Sequence, residues 1–405
     1  MEKSDLNLEG DGEATQAPVP LVHVAGWVRS VGGVETLLAR HAKADGPAGF
    51  DATQVALFDR PPQGGVPAPR YEPMRFSWRN TPRGMRRAMD HALGKMPGAI
   101  TLWHNGWGLP WFASEDHSSR RIVCLWDGPS HFEPWLAQVQ PWVDGVICMS
   151  ESAAQEVERL LPDWPAERCQ NIKVPMESPP DLRAARLARE EWVIGYAGRL
   201  VGPQKRSNRL VPFVKELRKL GVNYRVEVVS DGPMRPWLQQ QLGEDQRVQF
   251  LGWQSSEEYW QRLQTWDAAV SFTDHEGGPI VLLETMAAGA LPIFPAIGGC
   301  LADDYLPQLS VPCQYEPGNP AAAARILRDF TKLSVVECAQ VRLEARQLAM
   351  THTASGYDST FADFAHRIAT LPRVSRPPLG DRKTAWFERL PLGLVTRALK
   401  PKLWC

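Results

Sequence analysis

The chain has 405 residues, 43% hydrophobic and 22% charged, with a formal net charge of -1. At roughly 100–200 residues per domain this is two or three domains with substantial cores, and the near-neutral balance excludes a globally basic nucleic-acid binder. Seven cysteines (124, 148, 169, 300, 313, 338, 405) are scattered with no Cys-x-x-Cys pair, which argues against zinc-ribbon and thioredoxin-like sites and fits a reducing cytoplasm.

Residues 1–19 are polar and acidic, and disorder without a signal peptide is expected there. "PLVHVAGW" (20–27) then reads as a buried strand, followed by Gly32-Gly33 and the helical pattern "VETLLARHAK". "ATQVALF" (52–58), "GAITLWH" (98–104), "RRIVCLW" (120–126) and "VDGVICMS" (143–150) read as further strands, the last leading into a helix behind Ser150. Repeated strand–loop–helix units imply a parallel sheet. Near 175–190 the chain turns proline-rich and then charged, as a linker does. The pattern restarts with "WVIGYAG" (192–198), "YRVEVVSDG" (224–232), "RVQFLGW" (247–253), "DAAVSFT" (267–273) and "ALPIFPA" (290–296) as strands. The expected organisation is an α/β N-terminal domain over 20–178 and a second over 179–356. A helix over 357–372 is placed to cross back to the first, and a basic tail fills 373–405. No run of about 18 apolar residues predicts a transmembrane helix.

Several chemistries lack their motifs. No Gly-x-Gly-x-x-Gly follows the first strand, and no P-loop, Gly-x-Ser-x-Gly, His-Glu-x-x-His or Asp-x-Asp occurs. No cofactor and no metal site are therefore expected. What remains is "DHEGGPIVLLETMAAG" (274–289). Glu276 lies just past a strand, at the sheet edge where α/β folds bind ligands. Gly277 and Gly278 admit close backbone approach, and Pro279 is placed as the first helical residue, with Ile280 behind it. The helix N-terminus suits a phosphate. Glu284 lies about a turn and a half further on, where it reaches a second part of the same ligand. Upstream, "GYAGRLVGPQKRSNRL" offers Arg199 and Lys205 in a loop opened by Gly198, two fixed cations for a diphosphate.

"GRLVGPQK", "VVSDGP", "VQFLGW" and "EGGPIVLLETMAAGALPI" resemble, in order and spacing, the family 4 glycosyltransferases of the GT-B fold. The resemblance implies two Rossmann-like domains with parallel sheets facing across a cleft, and a retaining, metal-independent transfer from a nucleotide diphosphate sugar. It implies that Glu276 contacts the donor sugar, Glu284 the ribose, and Arg199 and Lys205 the diphosphate. The backbone from Phe250 to Gly252 would face the base, and Gly32-Gly33 would approach phosphates and acceptor. The family's histidine at the end of a first-domain strand is replaced here by Trp126-Asp127, so Asp127 and the neighbouring His104 are the candidates for its role. Ser230 also stands where the family has a glycine.

Six tryptophans (103, 107, 111, 126, 135, 142) fall in the first domain, as core or as stacking surfaces for an acceptor sugar. Segment 70–95 holds seven Lys/Arg against two acids, and 373–405 holds eight against two. Either segment is a solvated face or a contact with an anionic membrane. The expected activity is sugar transfer from a UDP- or GDP-linked donor to a glycan or lipid-linked acceptor, in cell-surface polysaccharide or lipopolysaccharide assembly. The expected location is cytoplasmic, peripheral to the inner face of the cell membrane. Two rivals stand beside it: an inactive GT-B binding or scaffold protein, and a GT-B sugar-nucleotide epimerase.

Overall fold

The computed structural model describes residues 17–28, 32–59, 70–106, 109, 120–128, 136–137, 140–176, 190–375 and 389–394. Two parallel sheets account for the thirteen described strands. The first runs β3-β2-β1-β4-β5-β6-β7, from β1 (Val19–Ala25), β2 (Phe50–Ala56), β3 (Tyr71–Pro73), β4 (Ile100–His104), β5 (Arg120–Leu125), β6 (Gly145–Cys148) and β7 (Cys169–Asn171). The second runs β10-β9-β8-β11-β12-β13, from β8 (Trp192–Ala197), β9 (Tyr224–Val229), β10 (Val248–Phe250), β11 (Ala268–Val270), β12 (Leu291–Pro295) and β13 (Gln314–Tyr315). Strand order reverses between β1 and β4 and again between β8 and β11. Those are the two switch points at whose carboxyl ends such sheets bind ligands.

The central strands are apolar on both faces because helices cover both. All five residues of β4 are buried, as are all three of β11. Of the helices, α1 (Gly33–Ala44) follows β1 and α2 (Pro82–Gly94) follows β3. Thr81 caps α2, its hydroxyl accepting from Gly84 N at 3.1 Å with Pro82 in the first turn. The apolar face of α2, with Met85, Met89 and Leu93, is buried in the first domain's core. The amphipathic pattern read in 70–95 thus serves the protein's own sheet and leaves no apolar face for a bilayer. No described helix is long and apolar enough to cross a membrane.

The domains touch along a continuous seam. The N-terminus of α3 (Glu151–Leu160) is capped from the second domain: Asp304, in α4 (Leu301–Tyr305), accepts from Glu151 N at 2.7 Å and Ser152 N at 2.9 Å. The helix α5 (Ala354–Thr370) lies against the first sheet. A Cβ on Gly145 of β6 would stand 2.9 Å from Phe364 and Ile368, so the bare strand lets the helix settle. Arg120 donates to the carbonyls of Ile368, Ala369 and Leu371 at 2.9, 3.1 and 2.6 Å, closing the helix's C-terminus with a cation. One apolar cluster runs from Leu21 and Ile147 through Met149 and Val174 to Phe361 and Phe364 and on into the second sheet's core.

Candidate active site

Two helix N-termini face each other at the switch points. The donor-side helix α6 (Ile280–Ala287) starts after Pro279, which is the N-cap (φ -67°, ψ 102°) rather than the first helical residue expected from its type. Its extended ψ leaves the first amides of the helix without intrahelical partners. Ile280 Cδ1 comes within 3.5 Å of where a Cβ on Gly33 would lie, so the start of α1 and the start of α6 meet across the cleft. The helix ends in a Schellman motif: Gly289 (φ 78°) donates to Met286 O at 3.0 Å and Ala290 N to Thr285 O at 3.1 Å.

Gly277 is where the domains approach most tightly. Its amide donates to Trp126 O at 3.0 Å, and a Cβ there would sit 2.6 Å from that oxygen. Gly278 packs against Met149 and Val174 of the first domain. The glycine pair therefore serves contact between domains as well as access to a ligand.

Around it lie the polar groups. Glu276 is buried, its carboxylate paired with the Lys205 ammonium and accepting from Thr273 Oγ1 at 3.1 Å. Arg199 is exposed and donates to Gln204 Oε1 at 3.3 Å. Gln204 Nε2 in turn donates to Asp127 Oδ1 at 3.2 Å across the cleft. Asn105 Nδ2 donates to Asp127 Oδ2 at 3.3 Å, and Asn105 Oδ1 accepts from Trp126 N at 2.8 Å. Arg206 and Arg209 both pair with Asp274, pinning the loop before Glu276. Glu284 accepts from Tyr259 Oη at 2.8 Å. At the far edge, Arg235 pairs with Asp231 at 2.8 Å and reaches Phe250 O at 3.4 Å. Gly252 there takes φ 74°. Ser230 is buried and its hydroxyl has no partner among the described residues.

The structure thus gathers Arg199, Lys205, Glu276 and Asp127 into one cluster with the α6 N-terminus. Gln204, Thr273, Asn105 and Tyr259 were not singled out from the sequence. Only the strand-end position of Gln204 beside Lys205, and of Thr273 beside Glu276, hinted at them.

His104 is a correction. It is buried, its Nδ1 accepts from Trp126 Nε1 at 3.0 Å, and its Nε2 lies 3.1 Å from His23 Nδ1. Burial holds its pKa well below the usual histidine value. With both ring nitrogens occupied inside the domain, it does not face the cleft. Trp103 and Trp126 are likewise core residues, which removes them as stacking platforms. Trp107, Trp111 and Trp135 lie outside the described residues, as do most of 177–189 and of the tail. Among the described residues, one group could offer three metal-ligand atoms within 4.8 Å: His23, His41 and Asp45.

Residues 191–330 match the family model for glycosyl transferases group 1. The second domain is a group 1 glycosyl transferase domain. Solved structures extend the likeness over both domains. Sucrose-phosphate synthase from Thermosynechococcus elongatus superposes at TM-score 0.68 and 15% identity, over 86% of this chain and 99% of that one. Anabaena HepE, in complex with UDP and glucose, gives 0.64 and 14%, over 86% and 99%. S. aureus TarM, in complex with UDP and an acceptor analogue, gives 0.56 and 13%, over 71% of this chain and 59% of its own, so this chain spans about three fifths of TarM. The fold is GT-B. No curated protein matches the chain by sequence. In GT-B terms the α6 N-terminus, Arg199, Lys205 and the two glutamates stand on the donor side. Asn105 and Asp127 stand opposite, on the first domain.

Proposed function

We propose that the chain is a retaining glycosyltransferase that moves a sugar from a UDP- or GDP-linked donor to a glycan or lipid-linked acceptor, in cell-surface polysaccharide or lipopolysaccharide assembly. The observation that carries this is the clustering of Lys205, Glu276 and Arg199 at the open N-terminus of α6, with Asp127 facing them across the cleft. The donor diphosphate takes the helix amides, Arg199 and Lys205. Glu276 holds the sugar, and Glu284, oriented by Tyr259, holds the ribose. As the glycosidic bond to the diphosphate breaks, the developing negative charge falls among fixed positive groups, so transfer needs no divalent ion. No side-chain nucleophile stands beside the cluster among the described residues. The acceptor hydroxyl is therefore placed on the same face as the leaving group and loses its proton there. UDP in the HepE and TarM complexes supports a uridine donor.

An inactive GT-B scaffold is the second reading, favoured by the buried Trp126 where the family carries a histidine. Thermal-shift screening with UDP-, GDP-, ADP- and dTDP-sugars, followed by assays of donor hydrolysis and transfer in EDTA, separates the two. Stabilisation by one donor class with turnover in EDTA is the expected result. Stabilisation with no turnover in any acceptor pool favours the scaffold, and conversion of the free donor to its epimer favours an epimerase.

A further inference from the structure

Beneath the first-domain side of the cleft runs a buried chain of six groups from five segments. Trp126 Nε1 is 3.0 Å from His104 Nδ1, and the two ring planes are 6° apart, so the contact lies in plane. His104 Nε2 is 3.1 Å from His23 Nδ1, and His23 Nε2 is 2.9 Å from Asp45 Oδ2. His41 Nδ1 is 2.8 Å from Asp45 Oδ1, and His41 Nε2 is 2.8 Å from Tyr357 Oη. The chain therefore runs from the cleft peptide to helix α5.

Its proton positions follow from chemistry. An indole N–H only donates, and an ionised carboxylate only accepts. Trp126 therefore makes His104 Nδ1 an acceptor, which puts the His104 proton on Nε2. That proton makes His23 Nδ1 an acceptor and puts the His23 proton on Nε2, aimed at Asp45. From the other end, Asp45 takes the Nδ1 proton of His41, whose Nε2 accepts the Tyr357 hydroxyl. Two donors close the ends, one anion sits inside, and each ring nitrogen has one use. Burial opposes charge on Asp45, yet His23 and His41 hold its carboxyl well below the usual range. Burial keeps His41 and His104 low, so both stay neutral. The same order disposes of the three-ligand metal group, since His23 Nε2 offers a proton where a metal needs a lone pair.

The end at Trp126 matters for the proposed transfer. Trp126 O accepts from Gly277 N, Asp127 accepts from Gln204, and a Cβ on Gly128 would meet the carbonyls of Glu276, Gly298 and Gly299 at 3.3–3.4 Å. Residues 126–128 thus lie flush on the donor loop, and the indole is their anchor.

We propose that His104, oriented by His23 and Asp45, is a positioning residue that locks the Trp126 indole and thereby sets Asp127 against the donor loop. Its effect on transfer rests on the glycosyltransferase reading, whereas the proton order does not. A ¹⁵N-imidazole correlation spectrum of the full chain at neutral pH reads that order directly, with peaks assigned by single histidine substitutions. Protons on Nε2 of His104 and His23 and on Nδ1 of His41 are expected. An Nδ1 proton on His23, or an imidazolium at any of the three, overturns the chain, whatever the protein's activity.

Transfer kinetics supply the second arm. His104→Gln keeps one acceptor for Trp126 and one donor for His23, whereas His104→Leu keeps neither and Trp126→Phe removes the donor alone. His104→Gln should retain kcat within about threefold. Trp126→Phe and His104→Leu should lower kcat at least about tenfold, with the sugar-nucleotide KM within about twofold. Tyr357→Phe, at the opposite end, should lower Tm with little change in kcat. Loss in His104→Gln equal to that in His104→Leu would make His104 a chemical group, and full activity in both leucine and phenylalanine variants would make the chain mere packing. Either result overturns the proposal.

Discussion

The Lys205 ammonium is paired with the Glu276 carboxylate, so in the ligand-free cluster the cation assigned to the diphosphate and the acid assigned to the sugar neutralise each other. A donor must therefore rearrange this pair as it binds. Lys205→Ala removes a charge-assisted contact of about 1.5–3 kcal/mol and leaves Glu276 facing the phosphates. It should weaken nucleoside diphosphate binding about 10–150-fold by calorimetry, with nucleoside binding unchanged. Glu276→Gln releases Lys205 and should tighten free diphosphate binding several-fold while transfer is lost. Unchanged diphosphate affinity in both variants would remove the pair from the donor site.

Asp127 belongs to the first domain but is held by Gln204 of the second and by Asn105 beside it. Asp127→Asn preserves shape and removes the charge. Transfer should fall by about 10²-fold or more, within the span of acid–base and electrostatic contributions. Donor affinity should stay near wild type, because Arg199, Lys205 and Glu276 are untouched. Steady-state kinetics paired with donor titration reads this, and an unchanged kcat would leave Asp127 as a seam residue only.

The donor side was legible because its signals are local. A glycine pair, a proline and an eight-residue apolar helix lie together within 277–289, and only the helix start shifted, by one residue at Pro279. The first-domain side was not legible in the same way. His104 looks like a strand-end histidine in sequence, and what removes it from the cleft is contact with His23 and Trp126, 81 and 22 positions away. Strands β3, β7 and β13 have only two or three residues, too short to show an alternation. The apolar stripe Met85–Met89–Leu93 was visible, but periodicity alone does not say whether a sheet or a bilayer covers it.

Acid should loosen the seam between the domains. His352 donates from Nδ1 to Val174 O at 2.7 Å and contacts Tyr305 Oη at 2.7 Å. Burial lowers its pKa to about 4, against the hydrogen bond to Val174 that raises it. Its folded pKa lies below the unfolded value near 6.5, so the unfolded chain binds more protons in between. The stability it contributes is complete above about pH 6.5 and is lost as pH falls toward 4, a total on the order of 3 kcal/mol. His41 and His104, also lowered by burial, act in the same direction. Urea midpoints should therefore fall steeply between about pH 6.5 and 4, and the slope should be shallower in His352→Gln. An unchanged slope in that variant would place the acid sensitivity elsewhere.

The basic residues of 70–95 remain as a charge-only candidate for an anionic surface. Met85, Met89 and Leu93 are buried, whereas Arg83 and Arg86 are half-exposed, and Arg75, Arg79 and Arg87 are exposed beside Trp78. The segment 389–394 is held next to them, Leu392 N donating to Asn80 O and Gly393 N to Trp78 O, each at 2.8 Å. A surface attraction of about 1 kcal/mol per cation, without an inserted helix, predicts weak binding that salt abolishes, since exposed charges are screened beyond about 10 Å at 0.1 M. Cosedimentation with phosphatidylglycerol vesicles should be measurable at low salt and vanish at high salt. Changing Arg83, Arg86 and Arg87 to glutamate should eliminate it with the melting temperature held, because none of the three is a core residue. Binding that survives high salt would require an apolar anchor beyond this face. Absence of binding at low salt would make it a solvated surface and favour a soluble glycan as the acceptor.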